Sequence, residues 1–119
     1  MIRHARDRHA PFHPASAPDF LPAPVLAELQ LSRLKEIVTR AWEYVPLVQL
    51  RMNELGVAAE DVEHLEDIAR LPFTTKADLR DTYPFGLFAS RMEDVVRLHA
   101  SSGTTGKPIV VAYTQRRKE

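Results

Sequence analysis

The sequence lacks several features that would assign a chain to a familiar class. It has no cysteine, which excludes a disulfide framework, a thiolate metal site and a thiol nucleophile. Its 16 basic residues equal its 16 acidic residues, so the overall balance does not show the basic footprint of a nucleic-acid-binding protein. No run approaches the roughly 18 consecutive apolar residues of a membrane span. We therefore expect these 119 residues to form a cytoplasmic protein of ordinary globular composition.

The first 24 residues differ in composition from the rest of the chain. They contain three of the five histidines and five of the nine prolines. Because proline fixes φ and has no backbone N–H, we predict an extended or disordered leader over residues 1–24, without a regular element. The histidines are irregularly spaced and no carboxylate cluster accompanies them, which argues against a metal site in this leader.

Apolar residues recur at three- and four-residue steps after Val25, which predicts an amphipathic helix that Pro46 interrupts. We interpret Trp42 and Tyr44 as core residues of this helix, rather than as groups that stack on a substrate. A second short helix should end at Gly56, where a left-handed C-cap forms most easily. The main apolar stripe consists of Leu34, Ile37, Val38, Ala41 and Val45.

Two more helices are predicted before the last third of the chain. One covers Val62–Arg70 and is stopped by Pro72. Its acidic residues are interpreted as a solvated helix face, since their spacing lacks the glycine and the alternating oxygen ligands of a calcium loop. The other begins at Thr75, whose pairing with Asp78 three residues later resembles a capping box, and should end before Pro84.

Two β-rich runs flank a polar loop in the last third of the chain. Val95–Ala100 alternates in polarity and Ile109–Thr114 is rich in β-branched residues. The loop can turn backbone N–H groups and hydroxyls towards one anion, and its lysine adds a compact positive charge. It is not a Walker loop, because its glycines are too close together and a strand follows. We interpret it as a phosphate-binding loop; the alternative is an ordinary polar hairpin connection. Its residues are Ser101, Ser102, Gly103, Thr104, Thr105, Gly106, Lys107 and Pro108.

This loop resembles the phosphate loop of the acyl-adenylate-forming superfamily. Residues 71–89 (LPFTTKADLRDTYPFGLFA) and 97–114 (RLHASSGTTGKPIVVAYT) more narrowly resemble the phenylacetate–coenzyme A ligase family. The resemblance implies an α+β fold, in which N-terminal helices precede a β-hairpin that carries the loop, as part of the large N-terminal domain of an adenylate-forming enzyme. We therefore expect a leader over residues 1–24, a partial domain over 25–114 and a charged tail over 115–119.

The resemblance also implies a reaction in two steps. ATP and an aryl acid such as phenylacetate give an acyl-adenylate and pyrophosphate, and the coenzyme A thiol then displaces AMP. ATP, Mg²⁺ and coenzyme A are the implied cofactors. By this resemblance Ser101 to Lys107 would hold the outer phosphates of ATP, while His99 would only position the loop. Lys107 does not match the family's catalytic lysine, which belongs to a C-terminal domain.

Family members are several hundred residues long, so we expect the N-terminal portion of such a ligase, either a truncated gene product or a fragment, which is inactive alone. No nucleic-acid or membrane partner is expected. Self-association through unpaired strand edges, or pairing with the missing remainder, is a further expectation. Three alternatives stay open: a non-catalytic nucleotide-binding module, an interaction piece that completes a separately encoded enzyme, and a degenerate product that folds poorly. The acid could also be a benzoate or an anthranilate.

Overall fold

A computed structural model describes residues 14–102 and 106–115 of the chain. Helical segments come first and a two-stranded antiparallel sheet follows, so the predicted α+β order of helices and then a hairpin is confirmed. The α-helices are α1 (Ala23–Tyr44), α2 (Pro46–Leu55) and α3 (Lys76–Asp81), and the strands are β1 (Val95–Ser101) and β2 (Ile109–Thr114). Short 3₁₀ helices cover Pro14–Phe20, Ala59–Asp61, Leu65–Arg70 and Met92–Asp94.

The first two α-helices meet at Val45, the residue before Pro46. Val45 has φ −115° and ψ 100°, the extended geometry that a following proline favours, while its N–H still donates to Ala41 O at 2.9 Å. The second helix ends at Gly56, whose φ of +65° is left-handed and whose N–H donates to Asn53 O at 3.1 Å. Both predicted boundaries are confirmed.

The hydrophobic core lies between α1, α2 and the chain that follows α2. Trp42 packs against this core, as predicted. The assignment of Tyr44 to the core was wrong, because this side chain is 48% exposed, and Ile37 of the predicted apolar stripe is 51% exposed. Only one side of α1 is covered, so the buried stripe is narrower than the apolar pattern of its sequence. The buried cluster consists of Val38, Met52, Val57, Ala59 and Val62.

Part of the predicted leader has regular structure, contrary to the expectation. Pro14–Phe20 forms a 3₁₀ helix, and Leu21 N–H donates to Pro18 O at 3.3 Å where it ends. Pro22 then stands at the N-cap of α1, and a proline occupies the first turn, where its missing N–H removes no helical hydrogen bond. The prolines therefore shape this segment instead of only disrupting it. Residues 1–13 lie outside the described residues.

The predicted helix over Val62–Arg70 is replaced by one 3₁₀ helix over Leu65–Arg70, which follows another over Ala59–Asp61, and the acidic residues of this segment have a different role. The Asp61 carboxylate accepts from Ala58 N–H at 2.8 Å. The Asp67 carboxylate accepts from the N–H groups of His64 at 2.7 Å and Glu63 at 2.9 Å, which lowers the pKa of Asp67. These side chains bond to the local backbone, which competes with a continuous helix.

The chain between the helical part and the hairpin is short and partly apolar. Thr75 caps α3 as predicted, since its hydroxyl accepts from Asp78 N–H at 3.3 Å, and the helix ends before Pro84. After α3, the rings of Phe85 and Phe88 lie 5.2 Å apart. Helix α3 and the chain that follows it lie beside β2, so they position the hairpin relative to the helices. Within the described ranges, no helix combines the length and the apolar character needed to cross a membrane.

Candidate functional site

The candidate loop connects the two strands of the hairpin, from the end of β1 to the start of β2. The strands pair in an antiparallel register in which Ser101 is opposite Ile109 and Ala100 is opposite Val110. The Ile109 N–H also donates to Ser101 Oγ at 3.3 Å, across the base of the loop. The two ends of the loop are therefore fixed to each other by the ladder. This is the arrangement that the two β-rich runs predicted.

Four of the seven predicted site residues fall within the described part of the chain. Ser101, Ser102, Gly106 and Lys107 are exposed at the two ends of the loop. Gly106 has φ +110°, a backbone conformation that only glycine adopts readily. No atom lies within 4 Å of the position that a Cβ would take there, so the requirement for glycine is conformational, not steric. The other three predicted residues, Gly103, Thr104 and Thr105, lie outside the described residues.

The side chains at the loop ends form a set of donors suited to an anion. Ser101 and Ser102 contribute hydroxyls and Lys107 contributes an ammonium group. Lys107 forms no hydrogen bond or ion pair with any residue in the described ranges, so its charge is free to meet an incoming ligand. The described hairpin has no carboxylate that would repel an anion. Each of these three side chains is of a type that can donate a hydrogen bond to a phosphate oxygen.

No carboxylate or histidine cluster in the described ranges is arranged to hold a metal ion directly. Within residues 14–102 and 106–115, no group of three or more His, Cys, Asp or Glu side chains is placed to share one ion.

One face of the hairpin carries a cluster that sequence reasoning missed. Arg97 and Tyr113 are directly opposite in the ladder, and the Arg97 guanidinium carbon lies 5.9 Å from the centre of the Tyr113 ring. The His99 ring meets the same tyrosine edge-on: the ring centres are 5.2 Å apart and the ring planes form an angle of 67°. Cross-strand register was the signal available in the sequence, because the loop length sets which residues face each other. His99 is a strand residue, as interpreted from its place before the loop.

A second feature that sequence reasoning missed lies away from the loop. Arg51 of α2 donates through both terminal nitrogens to the Asp78 carboxylate, each at 2.7 Å, and also to Phe73 O at 2.9 Å. The same carboxylate accepts from the N–H of Thr75 at 2.6 Å and from its hydroxyl at 2.9 Å. The Arg51 guanidinium, followed by the Thr75 backbone, holds the pKa of Asp78 well below its ordinary range. This network fixes α3, and the chain leading to the hairpin, on α2.

Comparison with known proteins shows which enzymes this chain is similar to. No family model matches the chain. It is 56% identical over 90 residues to the phenylacetate–coenzyme A ligase of Pseudomonas putida, and 54% identical over 95 residues to that of Thermus thermophilus. The chain resembles the N-terminal part of phenylacetate–coenzyme A ligase. The two alignments cover 76% and 80% of this chain, but 20% and 21% of these ligases.

Solved structures of a related ligase show the same fold. 2-Hydroxyisobutyryl-CoA ligase, in complex with 2-HIB-AMP and CoA in the thioesterification state, aligns with a TM-score of 0.71 at 30% identity. The same ligase in its postadenylation state, in complex with 2-HIB-AMP, gives 0.68 at 27% identity. Each alignment covers 80% of this chain and 21% of the ligase. The chain thus spans about a fifth of the length of the adenylate-forming CoA ligases that it matches.

Proposed function

We propose that this chain supplies the ATP phosphate-binding loop of an AMP-forming aryl-acid–coenzyme A ligase that acts in the cytoplasm, with phenylacetate as the acid. The observation that carries the proposal is that Lys107, at one end of the loop, and Ser101 and Ser102, at its other end, are exposed on a hairpin whose described residues include no carboxylate. The resemblance to phenylacetate–coenzyme A ligases supports the substrate class. A benzoate or an anthranilate would be the nearest alternative acid.

The chemistry assigned to the loop is electrostatic. When ATP is attacked by a carboxylate, the leaving pyrophosphate gathers negative charge, and donors already aimed at that charge lower the barrier. Ser101, Ser102, Thr104, Thr105 and Lys107 would supply those donors, together with the backbone N–H groups at the loop's glycines. Mg²⁺, when bound, would neutralise part of the same charge. The pairing of Ser101 with Ile109 keeps the two ends of the loop in place.

Titration of the purified chain with Mg-ATP and with pyrophosphate tests the loop. The test variant combines Lys107→Ala, Thr104→Ala and Thr105→Ala. A matched control, Lys35→Ala with Thr39→Ala, removes a lysine and a threonine from an exposed part of α1. We expect saturable binding in the wild type and in the control, and its loss in the loop variant. If circular dichroism shows that all chains are folded, equal binding by the loop variant and the control would mean that another part of the chain binds these ligands.

We further propose that the 119-residue chain alone does not form the thioester, since it spans about a fifth of its relatives. Coenzyme A consumption with phenylacetate and ATP should stay at the level of the loop variant. Activity clearly above that level would contradict this part of the proposal.

A second candidate function, as a piece that pairs with separately supplied polypeptide, is favoured by exposed apolar side chains. Phe73 is 90% exposed, and on the hairpin Val96 and Leu98 are 64% and 47% exposed. Apolar side chains grouped on a surface commonly mark protein contacts. Mixing the chain with the part of the Pseudomonas putida ligase that follows the region of similarity tests this idea. Thioester formation in the mixture, absent from each component, would establish pairing; concentration-dependent mass by light scattering would instead indicate self-association.

A further inference from the structure

Phe73 presents an aromatic ring to solvent from a backbone that is firmly held. Among the described residues it has the most exposed of the large apolar side chains, at 90%, and Val96 follows at 64%. The carbonyl oxygen of Phe73 accepts from Arg51 at 2.9 Å, and the same guanidinium binds Asp78 through two hydrogen bonds. An exposed ring on a fixed backbone loses little freedom when it is buried by a partner, which suits it to anchor a protein contact.

A separate apolar pocket lies between β2 and the chain that follows α3. Its volume is about 300 Å³, which leaves room for one aromatic side chain. Within the described residues its lining has no charged side chain, so a ring that entered would not strip water from an ionised group. Phe73 does not line this pocket, so the ring and the pocket are separate features of the surface. Its apolar lining includes Pro84, Leu87, Phe88, Val110 and Ala112.

The charges around the ring and around the pocket are of opposite sign. Phe73 belongs to an open groove whose charged lining residues, together with their ion-pair partners, comprise two cations and four carboxylates. These residues are Arg51, Arg70, Glu54, Asp61, Asp67 and Asp78. The hairpin, which forms one wall of the pocket, carries Arg97 and Lys107 and has no carboxylate in its described residues. An excess of negative charge beside the ring therefore complements an excess of positive charge beside the pocket, which favours their approach.

We propose that two copies of this chain associate through Phe73, which enters the pocket between β2 and the chain after α3 of the other copy. A second copy is the occupant because one chain carries both halves of the contact, on separate surfaces and with complementary charge. In a dimer with twofold symmetry each copy gives its Phe73 and receives one in return. The contact uses neither the phosphate loop nor the free edges of the strands.

The expected association is weak and reversible. Two buried phenyl rings account for about 300–500 Å², whereas a standard interface buries at least about 1,200 Å². Further apolar area comes from Leu55, which lines the same groove as Phe73 and is 56% exposed. The association should therefore depend on protein concentration and be strongest at low ionic strength, where the opposite charges are least screened.

Sedimentation velocity of the 119-residue chain, from about 1 µM to about 1 mM, tests the proposal. We expect the sedimentation coefficient of the wild type to rise with concentration. Phe73→Ser, which removes the ring, and Ala112→Leu, which fills the pocket, should each weaken association at least about tenfold. Ile37→Ser is the matched control, because it removes a 51% exposed apolar side chain from α1 and should leave association unchanged. If circular dichroism shows that Ala112→Leu is unfolded, Ala89→Leu fills the pocket from its other wall.

Cross-linking identifies which surfaces meet, and the absence of cysteine from the chain makes single-cysteine variants specific. Thr74→Cys lies beside the ring, and Ser90→Cys lies in the pocket lining. With a short bis-maleimide, a mixture of the two variants should give more cross-linked dimer than either variant alone. Adding Phe73→Ser to the Thr74→Cys chain should remove this excess. A predominance of dimers between two Thr74→Cys chains would mean that ring meets ring, which refutes the proposal.

The remaining outcomes also decide the question. A wild type that stays monomeric at every concentration refutes the contact, and so does association that Phe73→Ser leaves unchanged. Equal weakening by Ile37→Ser would mean general apolar adhesion, which refutes it as well. If the wild type is monomeric but needs Phe73 to bind the part of the Pseudomonas putida ligase beyond the region of similarity, that polypeptide is the occupant instead. None of these measurements depends on nucleotide binding, so their result is independent of the proposed function.

Discussion

The Arg51 guanidinium and the Asp78 carboxylate form a two-point ion pair that joins α2 to α3, with both N···O distances at 2.7 Å. They are 27 residues apart in sequence, and the Asp78 residue is buried at 8% exposure. The carboxylate also completes the capping box with Thr75. The Asp78 carboxylate therefore accepts from an N–H group at the start of α3 that would otherwise lack a partner, and it also fixes α3 on α2.

Breaking this pair should destabilise the protein more than removing an ordinary surface charge. In Asp78→Asn one guanidinium nitrogen of Arg51 would face an amide NH₂, so two donors would oppose each other. We expect a lower midpoint of thermal unfolding for Asp78→Asn and for Arg51→Met. Glu36→Gln, which removes the exposed partner of Arg40, is the control and should change the midpoint little. Equal changes in the unfolding midpoint for Asp78→Asn and Glu36→Gln would refute the larger contribution of Asp78 to stability.

The stability of the protein should fall in acid because of the same carboxylate. The pKa of Asp78 is lower in the folded protein than in the unfolded chain, chiefly through Arg51. Its contribution is therefore complete above the unfolded-state pKa of about 3.9, and is lost as the pH falls below about 4. The pKa of Asp67 is lowered as well, by the backbone N–H groups of His64 and Glu63.

Thermal unfolding measured at several pH values tests this expectation. The difference in unfolding midpoint between the wild type and Asp78→Asn should be constant near neutral pH and shrink in acid. A difference that grows as the pH falls would show that the sign of the pKa shift is wrong.

Gly86 and Gly56 should resist substitution for different reasons. A Cβ at Gly86 would lie 2.7 Å from both the Cβ and the carbonyl oxygen of Thr82, so Gly86→Ala should cost about 1–3 kcal/mol through overpacking. At Gly56 no atom is within 4 Å, but φ is +65°, which costs alanine about 1–2 kcal/mol. Asparagine tolerates this left-handed geometry. In urea unfolding, Gly56→Asn should therefore be milder than Gly56→Ala, whereas Gly86→Asn should be at least as severe as Gly86→Ala.

Met52 should be the side chain whose truncation is most harmful to the helical core. It is 1% exposed at the centre of the buried cluster, so Met52→Ala should cost about 2–5 kcal/mol of unfolding free energy. Ile37→Ala is the control, because Ile37 is 51% exposed on α1 and its loss should change the free energy by less than about 1 kcal/mol. Similar losses of unfolding free energy in both variants would contradict the assignment of Met52 to the core and of Ile37 to the surface.

The predictions from sequence succeeded where the signal was local. The extended Val45 before Pro46, the left-handed Gly56 and the Thr75 cap each depend on one residue and its immediate neighbours. The hairpin follows from two β-rich runs and the loop between them. The failure at Tyr44 has another cause, because the exposure of a helical side chain depends on which side of α1 the neighbouring elements cover.

The acidic segment failed for a related reason. Its composition permits a helix, but Asp61 and Asp67 find backbone N–H partners within four residues, and the chain turns in short 3₁₀ helices instead. Sequence composition shows which side chains can bond to the backbone. It does not show which of these side-chain hydrogen bonds is favoured over the backbone hydrogen bonds of a helix.

By itself, the sequence determined where α1 and α2 end, how α3 is capped and which two runs form the hairpin, since proline, glycine and capping side chains act through local geometry. Ser101, Ser102 and Lys107 are hydrogen-bond donors in any fold. Only the tertiary structure decided that Arg51 meets Asp78, that Arg97 stacks on Tyr113, and that Ile37 faces solvent. Such pairings join residues distant in sequence, and their geometry is set by how helices pack and strands align, which no local pattern contains.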